Sequence, residues 1–194
     1  MNYLAHFYLS RRSQELIVGS WLGDFVKGSD YSQYPAQIQQ GIFLHRKIDS
    51  FTDSHPAVLG SRRRINNEYR HLKGILIDVF FDHFLATHWS NYSPLSLEDF
   101  ASQVYLALDS YSDNLPHDAK NILPRMIDNN WLASYADTEN IGRALKGISG
   151  RLKRPNNLSN GIAELHAHYS GFEQDFNDFF PEVIEESFRI CSLA

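Results

Sequence analysis

Apolar positions recur along this chain at intervals of three and four, the spacing that lines one face of an α-helix. Nowhere do they alternate over strand length between turn signals. The expected fold class is all-α. Met1 to Ser10 reads as a short helix with Tyr3, Leu4, Phe7 and Tyr8 apolar, which sets Asn2 and His6 one turn apart. Ser13 caps a second helix through Trp21, ended or bent at Gly23 directly before Asp24. Residues 28 to 35 are a polar loop. From Ala36 to Thr52 the stripe Ile38, Ile42, His45, Asp49, Thr52 predicts a helix on which His45 and Asp49 share an apolar face, with Pro56 stopping it.

The stretch from Ile75 to Trp89 departs from that amphipathic pattern. At about 100° per residue, Ile75, Asp78, Asp82, Leu85, Ala86 and Trp89 share one side, while Leu76, Phe80, Phe81 and Phe84 cover the others. A helix apolar all round is buried, so both carboxylates face protein. Desolvating an unpaired carboxylate costs several kcal/mol, so each needs a cation, a metal or a dense set of donors.

Further on, Ser93-Pro94 breaks the chain and Ser96, with Asp99 three residues later, caps a helix carrying Phe100, Val104, Leu108 and Tyr111. A turn at 114 to 116 precedes a helix with Ile122, Met126 and Ile127, entered or bent at Pro124. Trp131, Leu132 and Tyr135 continue the apolar pattern to Thr138, which caps a short helix through Ile148, and residues 151 to 155 form a basic loop. Ser159 opens a last long helix with Leu165, Tyr169, Phe172, Phe176 and Phe179, ended by Pro181.

Composition narrows the classes. With 194 residues and 43% hydrophobic content, residues 1 to 194 make one compact helical domain. A net charge of -5 argues against nonspecific nucleic-acid binding by the chain as a whole. Cys191 is the single cysteine, which excludes an internal disulfide and a cysteine-rich zinc site. No run approaches the roughly 20 apolar residues of a membrane helix, and the N-terminus lacks signal-peptide order, so no membrane is expected and the cytoplasm is the default location. Positive charge gathers between Val58 and Lys73, in Arg62, Arg63, Arg64, Arg70 and Lys73, which in isolation reads as a solvated helix face.

Candidate chemistry lies in two pairs at spacing four, His45 with Asp49 and Asp78 with Asp82, because such pairs aim at a common point one turn wide. Asp24, His6 and His83 add further donors. Carboxylate oxygens with one or two imidazoles suit Mn²⁺, Mg²⁺ or Fe²⁺. Structural readings compete at each position: Asp49 has Arg46, Lys47 and Arg62 to Arg64 as ion-pair partners, Asp78 and Asp82 can accept from buried donors, and His6 fits a satisfied core histidine. No serine carries the flanking glycines of a nucleophile elbow, which favours hydrolysis through a metal-activated water.

Several ordered motifs match one family. They are Met-Asn-Tyr-Leu-Ala-His at 1 to 6, Gly-Asp-Phe-Val-Lys-Gly at 23 to 28, His45-Arg46 with Ile48-Asp49, Thr52-Asp53, Asp78-Val79, Asp82-His83-Phe84-Leu85, His88-Trp89 and Ala167-His168-Tyr169. Together they resemble the bacterial acyl carrier protein phosphodiesterases, over essentially the whole chain. The resemblance implies a compact multi-helix bundle of the HD-domain-like kind. It also implies a metal-dependent phosphohydrolase that removes the 4'-phosphopantetheine arm from holo acyl carrier protein, with Mn²⁺ the usual metal and Mg²⁺ or Fe²⁺ as alternatives. One departure is plain: the HD superfamily is named for an adjacent His-Asp pair, whereas here Asp82-His83 stands in reverse order.

Motif and chemistry together make Asp24, His45, Asp49 and Asp82 the first-choice metal ligands, with Asp78, His83 and His6 as further ligands or supports. For catalysis they assign Asp24, His45 and Asp82 to the metal, Arg46 to clamping a phosphate oxygen, and His83 or His6 to protonating the leaving oxygen. Because acyl carrier proteins are acidic, Arg62, Arg63, Arg64, Arg70 and Lys73 become an expected docking surface. Two other readings remain open: an HD-like hydrolase of a nucleotide or other small phosphoester, and a noncatalytic helical module that binds an acidic partner.

Overall fold

The computed structural model describes residues 1–192 and is built around one buried helix. That helix, α5, spans Lys73–Thr87, and every residue from Leu76 to Ala86 except Asp78 is buried. Against it pack α1 (Tyr3–Leu9), α4 (Pro56–Arg64), α9 (Thr138–Arg151) and α11 (Tyr169–Ser192). The remaining helices are α2 (Gln14–Leu22), α3 (Ala36–Ser54), α6 (Leu97–Asp109), α7 (His117–Asp128), α8 (Trp131–Ser134) and α10 (Ile162–Ala167). Buried side chains from all of them join one contiguous core. Among the described residues the structure contains no strand, and no helix is long and apolar enough to cross a membrane.

Local sequence accounts for most boundaries. Ser13 Oγ accepts the Leu16 amide at 3.2 Å at the start of α2, and Ser96 Oγ accepts the Asp99 amide at 3.0 Å at the start of α6, as expected of N-caps. Pro56 occupies the first turn of α4, where its missing N–H leaves nothing unpaired. The cap of α9 is Asp137 instead of Thr138, its carboxylate accepting the Glu139 amide at 2.8 Å.

The closest helix pairing, α2 on α3, depends on two facing glycines. A Cβ on Gly19 would lie 2.2 Å from the Ile38 carbonyl oxygen, and one on Gly41 would lie 2.6 Å from the Leu16 carbonyl oxygen and 2.7 Å from Gly19 Cα. The backbones therefore touch, and this fixes Asp24, just beyond α2, against His45 on α3.

The C-terminal expectation needs correction. One helix from Ser159 to Pro181 is instead a short α10, a break at His168 with φ -127 and ψ 23, and an α11 that runs straight through Pro181. A mid-helix proline frees only the carbonyl four residues earlier. Here that carbonyl belongs to exposed Asn177, where water can satisfy it, while Phe179, Phe180 and Val183 on the other side stay buried.

Candidate active site

Two helices deliver two imidazoles and a carboxylate to one point. His6 from the middle of α1 and His45 from α3 lie with their rings stacked, centroids 3.9 Å apart, and both are nearly inaccessible. Asp49, one turn beyond His45, takes both Nε2 atoms: His6 at 3.0 Å to Oδ1 and His45 at 3.1 Å to Oδ2. Asp24 Oδ1 stands 3.5 Å from His45 Nε2. Gly23 makes this possible, because a Cβ there would fall 2.4 Å from His45 Cγ. The ligand atoms of His6, His45 and Asp49 all lie within 4.8 Å of one another, and the donor set is that of a hard or borderline divalent ion.

The charges are strongly polarised. Burial alone lowers the affinity of His45 for its proton, but the hydrogen bonds and negative charge of Asp24 and Asp49 outweigh it and push its pKa up to about 9. His6 goes the other way, lowered to about 4 by burial and by the neighbouring His45, against the pull of Asp49. Burial of Asp49 raises its pKa, yet the two imidazoles hold the carboxyl far below the usual carboxylate range. Strongly displaced pKa values around one ionised carboxylate mark the cluster as a candidate functional site.

The position of His6 depends on Asp82. The side chain of Asn2, at the N-terminus of α1, makes no cap bond. Instead the Asp82 carboxylate, fully buried on α5, accepts the Leu4 amide at 2.8 Å and the Ala5 amide at 3.1 Å. It thus satisfies two of the free donors that open α1. Burial pushes its pKa up to about 7 despite those two bonds. Asp78, one turn earlier, accepts the α-amino group of Met1 at 3.0 Å, and the same amino group is 3.6 Å from Asp49.

Asp24, beside the cluster, borders a cleft of about 500 Å³, whose lining does not itself include His6, His45 or Asp49. Its lining includes Asp24, Tyr3 and Asp78, then Trp131 of α8, Arg125 of α7, and one face of α9 carrying Arg143, Gly147 and Arg151. Burial raises the Tyr3 hydroxyl to about 12, and the charges of Asp24 and Arg151 act on it in opposite directions, which places it between the acidic and basic parts of the cleft.

The model of the family described as acyl carrier protein phosphodiesterase matches residues 1–183. The chain belongs to the acyl carrier protein phosphodiesterase family. Proteins of that name from Photorhabdus laumondii subsp. laumondii and Salmonella agona are each 32% identical to it. The first match covers 96% of this chain and 95% of the relative, the second 97% and 98%. No solved structure matches.

Against the site expected from family motifs, the structure brings together Asp24, His45, Asp49 and His6, and holds Asp78 at their edge. Three further expected site residues make other contacts in the structure. Asp82 has both oxygens committed to backbone amides of α1, so it is an anchor for His6 and not a member of the ligand cluster. His83 directs Nδ1 to the Tyr135 carbonyl at 2.8 Å and Nε2 to the Tyr169 hydroxyl at 3.0 Å. Arg46 donates to the carbonyls of Gly28 and Val26, each at 2.7 Å, and so ties down the loop after Asp24.

The expected docking patch is also reshaped. Arg62 pairs with Asp53, Arg64 with Asp175, and Lys73 donates to Asn67. Arg70 sits at positive φ in a 3-10 turn, and none of Arg62, Arg63, Arg64, Arg70 or Lys73 lines the cleft. The residues missed are Arg125, Arg143 and Arg151. A signal for them was present: from Asn140 to Ala163 the chain holds Arg143, Lys146, Arg151, Lys153 and Arg154 and not one carboxylate.

Proposed function

We propose that this chain hydrolyses the phosphodiester joining 4'-phosphopantetheine to the serine of holo acyl carrier protein, using a divalent ion, Mn²⁺ or alternatively Mg²⁺ or Fe²⁺. The observation that carries the metal-dependent reading is the His6–His45–Asp49 cluster with Asp24 beside it at the border of a cleft. These residues fit the ion: two imidazole nitrogens and an ionised carboxylate converge, and Asp24 adds an accessible fourth donor. When bound there, the ion supplies Lewis-acid polarisation and charge neutralisation at a phosphoryl oxygen.

The chain's own residues do the rest. His6 and His45 hold their Nε2 atoms on the cluster because α1 is fixed by Asp82 and the ring of His45 is seated on Gly23. Asp24, partly exposed at the junction of cluster and cleft, is placed to take a proton from the attacking water. Arg143 and Arg151 bring positive charge to the cleft that receives the phosphodiester. Water adds to phosphorus, the bond from phosphorus to the serine oxygen breaks, and the departing alkoxide gains a proton, giving apo carrier protein and 4'-phosphopantetheine.

Incubation with holo acyl carrier protein and Mn²⁺, followed by mass analysis of both products, tests this. The expected result is a carrier lighter by the whole prosthetic group and a small product that retains the phosphate. A carrier of unchanged mass, or one that keeps phosphate on its serine, contradicts the proposal.

A further inference from the structure

The fold sets a second cationic surface against the Arg62–Lys73 segment that the sequence favours. On α4, Arg62 and Arg64 are met by Asp53 and Asp175 of the same chain. On α9 and the loop after it, Arg143, Lys146, Arg151, Lys153 and Arg154 are all exposed. Among the described residues only Arg143 has a carboxylate partner, Glu139 at 3.8 Å, itself highly exposed. This strip carries net +5 in a chain of net -5. Such segregation sets up a local positive field on a protein that otherwise repels anions.

The strip is continuous with the candidate active site. Arg143 and Arg151 line the same cleft as Asp24, and Arg125 joins them from α7, also without a carboxylate partner among the described residues. The two arginines lie eight residues apart, about 12 Å along a helix at 1.5 Å per residue. Between them on that face are Ala144 and Gly147, and a Cβ built on Gly147 meets nothing within 4 Å. The helix thus offers a low, open surface flanked by guanidiniums.

We propose that the acyl carrier protein docks on α9, its following loop and Arg125, and that this surface, not the Arg62–Lys73 segment, presents the phosphodiester to the cleft. The inference rests on the phosphodiesterase reading above for the partner's identity. Its own ground is complementarity between an acidic partner and the one basic strip that borders the cleft.

Binding without turnover separates the two. Fluorescently labelled apo carrier, titrated with the full-length protein in EDTA, reports docking alone. The combined variant Lys146→Glu, Lys153→Glu, Arg154→Glu should weaken binding roughly tenfold or more and flatten its salt dependence, whereas Arg63→Glu should leave Kd within about twofold. The neutral variant Lys146→Gln, Lys153→Gln, Arg154→Gln should fall between wild type and reversal, a graded response that loss of folding does not give. With holo carrier and Mn²⁺, the reversal should raise KM. An unchanged Kd in the reversal variant, or an equal loss in Arg63→Glu, overturns the docking surface even if wild-type protein releases the prosthetic group. Equally tight binding of a DNA duplex assigns the strip to polyanions in general and also overturns it. Failure of wild-type protein to cleave holo carrier, with docking intact, strikes the catalytic reading instead.

Discussion

His45 and His6 differ in protonation although they face the same carboxylate, and this makes a sharp prediction about metal binding. A ligand nitrogen must be free of its proton. His6, lowered to about 4, is already neutral near pH 7.5, while His45, raised to about 9, is still protonated. Mn²⁺ binding at pH 7.5 should therefore release about one proton, and apparent affinity should rise by about tenfold per pH unit until the pH passes 9. Calorimetry in buffers of different ionisation enthalpy reads the proton count; no proton release would contradict the assignment of His45 as a ligand. At this scale the sequence was partly legible. The four-residue spacing of His45 and Asp49 announced their shared aim, but the role of Asp82 did not show, because its partners are backbone amides of Leu4 and Ala5, which leave no trace in residue type. The loop contacts of Arg46 did not show for the same reason: its partners are main-chain carbonyls.

Among the helices, the anchoring of α1 by Asp82 ties stability to the site. Asp82→Ala strands two buried amides and should cost on the order of 2 to 4 kcal/mol, and it should weaken Mn²⁺ binding although Asp82 does not touch the cluster. Asp82→Asn keeps an acceptor and should cost less. The pH dependence has a definite sign. An acid whose pKa rises from its usual value to about 7 on folding holds more protons in the native state across that interval, so its contribution falls as pH climbs from about 4 to 7. Denaturant titrations across that range should show Asp82→Asn without this decline. Two glycines predict opposite outcomes from one substitution. Gly147→Ala meets open space and should stabilise the protein by about 0.5 to 1 kcal/mol, whereas Gly41→Ala drives a methyl into the α2 backbone and should lower Tm despite the same gain in helix propensity. The helices themselves were well marked by apolar spacing and caps. Pro181 was misread because a proline ends a helix only where the freed carbonyl lacks another partner, which depends on exposure and not on sequence.

For the molecule as a whole, the all-helical class followed from periodicity, and the burial of α5 followed from a helix apolar on every side. The location of the cleft beside Asp24 did not, because it is assembled from α1, α5, α7, α8 and α9, whose order in the chain says nothing of their adjacency. Sequence drew attention to the Arg62–Lys73 segment; packing shows that Arg62 and Arg64 there meet carboxylates of their own chain, whereas the basic strip on α9 borders the cleft. The widest-reaching proposal makes the His6–His45–Asp49 cluster the metal centre of a carrier-protein phosphodiesterase. It is tested most directly by the initial rate at which holo acyl carrier protein loses its prosthetic group, followed by mass, with Mn²⁺ and Asp49→Asn protein shown by circular dichroism to be folded. The rate should fall by about 100-fold or more relative to wild type; a rate within a few fold of wild type would contradict the assignment.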